Sequence, residues 1–586
     1  MVITGPFLSL FMKHISSLMR NWPVAGLLVI LLLLAGPKAR AQAPAWQMAL
    51  AAGSGSITAA YGVGTDASGN AYIGGSFQGT VSFGSTVLTS AGGYDLFVAK
   101  YSPVSGGFEW AIRTGGNGYD EVRAVAVSGT GIYIAGFTQS ALINFGPSTL
   151  GATGGSDGFV AKLTPAGNFV WAEQVSGDGT DEVLALAIDG PNVYVGGSFT
   201  SNRVAFGSRT LTNTGIINAG YSDGFVAKLT DAGTSASFAW AQKLGGGANN
   251  DQVTALAAMG TGVYVGGSFR LSAAFGPITL TSLGFQDVFV GKLLDAGSTS
   301  SFAWVQRAGG AGGDDVAQAL ALSGTRVYVA GYFDSSTAAF GPATVARAGG
   351  YDGFVAQLTD AGATGSFGWA QRMGGTNNDR AHGLVATAAG VAVAGYFDSA
   401  PATFGPITLA NYGGNGSADI FVTRLTDNGT AGTFVWAQRA GGVRDDQGFA
   451  LALSGPTLYV AGNVSPQAIF APLTINTPVA VRIPLLASLT DPTLLATTAA
   501  LRGAAFTLAP NPARSATTVT LPALPGTASA TLTLRDALGR AVRTATVALP
   551  PAGLRHEVDL TNLPAGIYAL QVQAGAATAT RRLVVE

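Results

Sequence analysis

The chain has 586 residues, 84 of them Gly and only 11% charged, with a formal net charge of −1. That balance excludes the basic face a nucleic acid would require, and the absence of Cys excludes disulfides, thiolate nucleophiles and thiolate metal sites. Three His, one of them His14 near the start, are too few for a multi-histidine centre, so neither metal nor other cofactor is expected.

In chain order, residues 1–41 come first. Lys13 and Arg20 precede an apolar run at 25–35, and Ala39-Arg40-Ala41 has the small-x-small form of a cleavage site, so 1–41 is predicted to be a signal peptide cut before Gln42. An apolar run of about 11 residues falls short of the roughly 20 that span a bilayer. The mature chain is therefore expected to have no transmembrane segment; an uncleaved anchor helix is the alternative.

Residues 42–491 are near-copies of one unit. Trp46, Trp110, Trp171, Trp240, Trp304, Trp369 and Trp436 recur about every 65 residues. The copy starting at Trp171 runs through a Gly-rich loop ending in Asp181, an alternating segment at 183–188, Val-Tyr-Val-Gly-Gly-Ser-Phe at 193–199, a Phe206-Gly207 step and a final run ending Phe-Val-Ala-Lys-Leu at 229. Each copy offers four strand-like runs, rich in Val, Phe and Ala and bounded by turn residues. Four antiparallel strands repeated seven times predict an all-β, seven-bladed β-propeller, with a β-solenoid as the competing architecture. The large Leu186, Leu256, Leu320 and Leu451 alternate with Ala and are expected to pack as knobs against neighbouring blades, both sheet faces being dry. The recurring Trp is expected to be structural, wedged between blades, rather than a ligand-stacking residue. The phrase Asp-Glu-Val-Leu-Ala-Leu-Ala at 181–187, followed by 193–199, resembles the seven-bladed β-propeller repeat proteins, which implies the fold and little about activity.

The repeat stops after Asp491. Residues 492–505 are expected to be a linker, and 506–586 change composition. Alternating segments at 517–521, 530–534 and 568–572, separated by Pro and Gly turns, predict a small immunoglobulin-like β-sandwich. Pro510-Asn511-Pro512-Ala513, Leu-Arg-Asp-Ala-Leu-Gly-Arg at 534–540, Leu-Pro-Ala-Gly-Ile-Tyr at 563–568 and the terminal Arg-Arg-Leu-Val-Val together resemble the type A C-terminal sorting domain of the type IX secretion system. The resemblance implies a Bacteroidota-type source, the type IX machinery as a partner through 506–586, and a secreted or surface-attached product. An ordinary accessory sandwich is the alternative.

Two acids recur. Asp120, Asp181, Asp251, Asp315, Asp379 and Asp446 close the Gly-rich loops; the run Gly-Gly-Asn-Gly-Tyr-Asp at 115–120 fits a calcium-repeat pattern, but it comes once per copy and one turn offers too few oxygens for calcium. Asp95, Asp157, Asp223, Asp287, Asp352 and Asp419 precede the third strands. Both sets are expected to cap backbone amides. No nucleophile elbow, phosphate loop or zinc-helix motif is present in the sequence.

If the run after the Gly-rich loop is innermost, its start and the end of the next strand share one face of the disc with the Phe-Gly segments. There the residue three after each loop Asp differs between copies: Arg123, Leu184, Thr254, Gln318, His382 and Phe449. The residue one after it gives Glu121, Glu182, Gln252, Val316, Arg380 and Gln447. Arg123, Gln318, Arg380, His382 and Phe449 are the candidate ligand-binding residues, with neutral drift at a solvated rim as the alternative. The expected function is a non-catalytic scaffold for an extracellular glycan or protein; an extracellular glycosidase or lyase is the second possibility.

Overall fold

The computed structural model describes residues 42–54, 58–129, 131–214, 220–247, 249–476, 481–494, 506–521, 529–536, 541–550, 553–574 and 577–586. The expected signal peptide at 1–41 and most of the linker at 492–505 lie outside the described residues.

Between Trp46 and Thr490 the described residues form antiparallel sheets built on a repeated four-stranded unit, three of four strands and four extended to six. In one of them Asp120–Ser128, Gly131–Thr138, Asp157–Leu163 and Phe169–Gly177 pair in chain order. The middle two strands are buried at every position, because a neighbouring sheet covers each face; hence their predominantly apolar runs, with no alternation of apolar and polar residues. The first strands contact one another in cyclic order, the last, Gln447–Ser454, lying against the first, Thr58–Thr65. The fold is a β-propeller. Its ring is joined by Trp46–Ala51, which pairs with Ile483–Thr490, Trp46 opposite Leu489 and Ala51 opposite Leu485, and so gives the final sheet its outer strand.

The Phe-Gly steps have a different duty from the face loops expected of them. Arg203–Phe206 and Arg209–Thr212 form a hairpin whose two-residue turn starts at Gly207, with φ +58°, as primed hairpin turns require. Phe206 then pairs with Val175 in the outer strand of the preceding sheet. The hairpin therefore extends its neighbour's sheet to six strands, and Phe206 is fully buried.

The recurring Trp ties adjacent sheets together. Trp240 Nε1 donates to Asp295 Oδ1 at 3.0 Å, while Lys228 Nζ and the Tyr194 hydroxyl donate to Asp295 Oδ2 at 2.6 and 2.8 Å. Tyr194, Lys228 and Trp240 belong to one sheet and Asp295 to the next. Asp231 and Asp360 repeat the arrangement, and Asp427 does so with Arg326 as the cation. Trp46 and Trp110 lack this acid: Trp46 donates to the Arg439 carbonyl, and the half-buried Trp110 donates to the carbonyl of Pro165, which, like Pro103, stands where other copies have Asp.

Leu186, Leu256, Leu320 and Leu451 require a correction. Leu256 and Leu320 do lie over Gly196 and Gly266 of the preceding sheet, yet all four also line the central channel, so the inner strand is not dry on every side.

In the tail, Thr507–Ala509, Ala516–Leu521 and Leu554–Asp559 form one sheet, and Ala541–Ala548, Ser529–Arg535, Gly566–Ala574 and Ala577–Val585 form another. Val519, Leu532, Leu570 and Leu583 share its core, giving the β-sandwich that the alternating pattern predicts. No helix among the described residues is long and apolar enough to cross a membrane.

Candidate binding site at the channel mouth

Each innermost strand carries one β-bulge. In the second sheet Val122 opposes Gly136 and Ala124 opposes Ala135, which leaves Arg123 without a partner. The same irregularity singles out Leu184, Thr254, Gln318, His382 and Phe449, and in the first sheet Tyr61. A bulge re-aims a side chain. Here all seven are turned to a single cavity of about 220 Å³ on the channel axis.

The glycine of the second strand makes the bulge possible. A Cβ on Gly136 would lie 1.9 Å from the Glu121 carbonyl oxygen, and one on Gly395 would lie 2.0 Å from that of Arg380. Gly75, Gly197, Gly267, Gly331 and Gly462 occupy the corresponding positions with the same close approach. Bulge and glycine therefore form one device, written into every copy as the Gly two residues before the end of its Gly-x-Phe phrase or the phrase's variants.

Chemistry differs around the ring. Arg123 Nε lies 2.7 Å from Glu121 Oε1, and Glu121, far from being a rim position, is fully buried and also accepts from Ser76 Oγ at 2.8 Å and from the Tyr119 hydroxyl. The Arg123 guanidinium stands over Tyr61 at 5.1 Å and Phe137 at 5.6 Å. Burial, then the Glu121 charge, pushes the Tyr61 hydroxyl up to about 12. Tyr61 touches Phe449 at 5.2 Å, His382 meets Phe449 edge-on at 5.6 Å, and His382 stacks on Tyr396 at 5.3 Å. Burial, then the Arg380 charge, pushes His382 down to about 3, so its imidazole is neutral at ordinary pH. Its Nε2 is buried without a hydrogen-bond partner. Thr254 Oγ1 is already committed to the Ala317 carbonyl at 2.5 Å.

Of the five predicted ligand residues, Arg123, Gln318, His382 and Phe449 line this cavity. Arg380 does not; it sits between Tyr332 at 4.4 Å and Tyr351 at 4.7 Å, farther out on the same face. Sequence reasoning missed Tyr61 because its copy has no loop Asp from which to count. It also missed Phe137, Tyr332 and Tyr396, whose signal was the variable residue following the bulge-facing glycine.

The recurrent acids are engaged in the frame. Asp315 accepts from the Gly310, Asp334 and Ser335 amides and from Ser335 Oγ at 2.6 Å; Asp379 accepts from the Gly375 and Ser399 amides. Asp120, Asp181, Asp251 and Asp446 likewise accept from backbone amides. Of the second set, Asp157 and Asp419 accept the Thr153 and Tyr412 amides. The two sets meet: a Cβ on Gly374 would be 2.5 Å from an oxygen of Asp352 and of Asp379. Among the described residues no three His, Asp or Glu side chains gather as metal ligands.

A propeller ring followed by a C-terminal sandwich defines a modular all-β protein. Its residues 507–586 match the secretion system C-terminal sorting domain, and the protein is accordingly secreted or attached to the outer-membrane surface. The regulatory protein FlaEY of Caulobacter vibrioides is 27% identical over 331 residues, which are 53% of this chain and 32% of that protein; the chain thus spans about a third of that relative's length. Among solved structures, a Trypanosoma rangeli sialidase in complex with sialic acid aligns over 78% of this chain and 82% of its own, at 9% identity and TM-score 0.29. Dimeric latent PorU of Porphyromonas gingivalis aligns over 90% of this chain and 32% of its own, at 9% identity and TM-score 0.13. At those scores neither likeness bears on chemistry.

Proposed function

We propose that the propeller is a non-catalytic binding module that captures an extracellular glycan or protein at the mouth of its central channel. The observation that carries this reading is the ring of bulges: an invariant backbone device delivers seven side chains to one cavity, and those side chains differ from blade to blade. A scaffold that holds backbone constant while varying the delivered chemistry suits recognition. Glu121, the carboxylate paired with the cavity-lining Arg123, is also tied to Ser76 and Tyr119, which favours binding over acid–base work, where a carboxyl must be free to exchange its proton.

The test is a glycan array and a protein pull-down with the exported chain, repeated with Gln318→Ala and His382→Ala together. Capture should fall at least about tenfold, equivalent to roughly 1.4 kcal/mol, with a cooperative melting transition showing that the variant still folds despite losing the His382–Tyr396 stack. Undiminished capture moves the site off this face. Turnover of any polysaccharide by the wild-type chain that Glu121→Gln abolishes makes the protein an enzyme instead.

A further inference from the structure

The aromatic groups at the mouth form one continuous arc. Tyr119 meets Phe137 at 5.4 Å, Arg123 bridges Phe137 and Tyr61, and Tyr61, Phe449, His382 and Tyr396 follow in contact. On the opposite arc the cavity lining itself, Leu184, Thr254 and Gln318, has no aromatic member, the Tyr332 of the Gln318 sheet being held against Tyr351 and Arg380. One side of the cavity thus offers ring faces and the other a mixed, largely uncharged wall.

Three further features limit what can enter. The cation in the cavity, Arg123, is offset by buried Glu121 at 2.7 Å, and the imidazole is neutral, so the seven cavity-lining side chains supply no free charge for a carboxylate, sulfate or ammonium; Arg380, held between Tyr332 and Tyr351, lies outside that lining. His382 Nε2 is a buried polar atom without a partner; leaving such an atom unpaired is unfavourable, and an incoming group relieves it. A neutral imidazole has one N–H and one acceptor, and a hydroxyl can meet either because it both donates and accepts, whereas a carboxylate only accepts and an ammonium only donates. Finally, about 220 Å³ lies below the roughly 300–1,000 Å³ of sites that enclose a drug-sized ligand, and suits one six-membered ring entering end-on.

Resting on the binding-module reading, we infer that the channel mouth takes the terminal sugar unit of a neutral glycan, its apolar face against the Tyr61–Phe449 side and a hydroxyl on His382. Charged glycans and aromatic peptide side chains are the competitors, the first lacking a counter-charge among the cavity-lining residues and the second lacking hydroxyls on a saturated ring.

The experiment uses the whole exported chain with three probe sets: neutral tetrasaccharides of glucose, mannose and galactose; the corresponding uronic acid tetrasaccharides; and short peptides ending in Tyr or Trp. Calorimetry gives affinity, and saturation-transfer NMR shows which sugar unit is in contact. A neutral tetrasaccharide should bind through its terminal unit and weaken at least about tenfold in Phe449→Leu, which keeps apolar bulk but loses the ring, and in His382→Phe, which keeps the stack but loses the nitrogen. Melting temperatures report folding for both variants. Tighter binding of the acidic sugars or the peptides, lost in the same variants, overturns the inference while leaving the binding module standing. Binding of any probe that both variants leave intact overturns the module at this site as well, and no binding by any neutral tetrasaccharide overturns the inference alone.

Discussion

A single glycine decides whether each bulge can exist. In Gly395→Ala the new methyl group would meet the Arg380 carbonyl oxygen at 2.0 Å, and backbone cannot move aside as a side chain tip can. The bulge that presents His382 should collapse, with a loss of stability of at least about 1–3 kcal/mol, the cost of overpacking. Gly107→Ala is the control, since nothing lies within 4 Å of its Cβ position; it should melt like wild type. Thermal unfolding of both variants checks the contrast, and equal melting temperatures would remove the steric account. The same scale shows why the candidate residues were legible and their surroundings were not. Counting from each loop Asp found Arg123, Gln318, His382 and Phe449 because the bulge falls at a fixed offset from that Asp. Their burial could not be seen, since the Arg123–Glu121 pair and the His382–Tyr396 stack depend on which strands become neighbours. Arg123→Ala, innocuous if Arg123 were a solvated rim residue, should instead cost about 1–3 kcal/mol by removing the ion partner of buried Glu121, which keeps its bonds from Ser76 and Tyr119.

Between neighbouring sheets the energetics concentrate in the Tyr–Lys–Trp–Asp clasp. The Asp295 side chain is 6% exposed and carries its charge opposite Lys228, so Asp295→Ala leaves a buried ammonium unpaired and should cost about 3–5 kcal/mol. Pro165→Asp tests the same idea in reverse. It supplies an acid beside the half-buried Trp110, whose indole now donates to the Pro165 carbonyl, and exchanging that bond for a charge-assisted one should add about 1 kcal/mol, read as a higher melting temperature; a lower one would mean that the Pro-containing turn is itself required. The clasp Asp was readable in principle, because Leu-x-Asp-x-Gly recurs after most third strands. Its partner was not, since Asp and Trp, although they belong to one copy, lie in different sheets. The Phe-Gly segments show the same limit: two short strands and a positive-φ glycine were visible, but their docking onto the preceding sheet is a non-local contact that no local pattern encodes.

At the scale of the whole molecule, the repeat period and the terminal motifs were enough to predict a propeller body with an exported sandwich tail, because both are written as recurring or position-specific phrases. Removing 506–586 should therefore leave a folded propeller retained in the periplasm of its host, detected by fractionation; surface display of the truncated chain would contradict this. What no phrase revealed is how the recurrent acids titrate as a population. Asp181, Asp251, Asp379, Asp419 and Asp446 are all raised to about 7, chiefly by burial. Each binds its proton more tightly folded than unfolded, where the value is near 3.9. Such a group adds stability that is complete below its unfolded value and is lost as pH rises through about 7. Asp231, Asp295 and Asp360 oppose it: burial pushes them up, but hydrogen bonds led by Lys162, Lys228 and Lys292 outweigh it and hold them below the ordinary range. Their contribution is present above the unfolded value and is lost as pH falls through the lower folded value. The melting temperature should accordingly peak on the acid side of neutrality, between about pH 4 and 6, decline toward pH 8 as five buried carboxyls are forced to ionise, and fall again in strong acid as the clasps break. Calorimetry from pH 3 to 9 in one buffer series measures this, and Asp379→Asn, which keeps an acceptor but cannot ionise, should flatten the alkaline limb. A melting temperature that rises steadily to pH 8 would mean that these carboxyls are ionised and compensated in the folded ring.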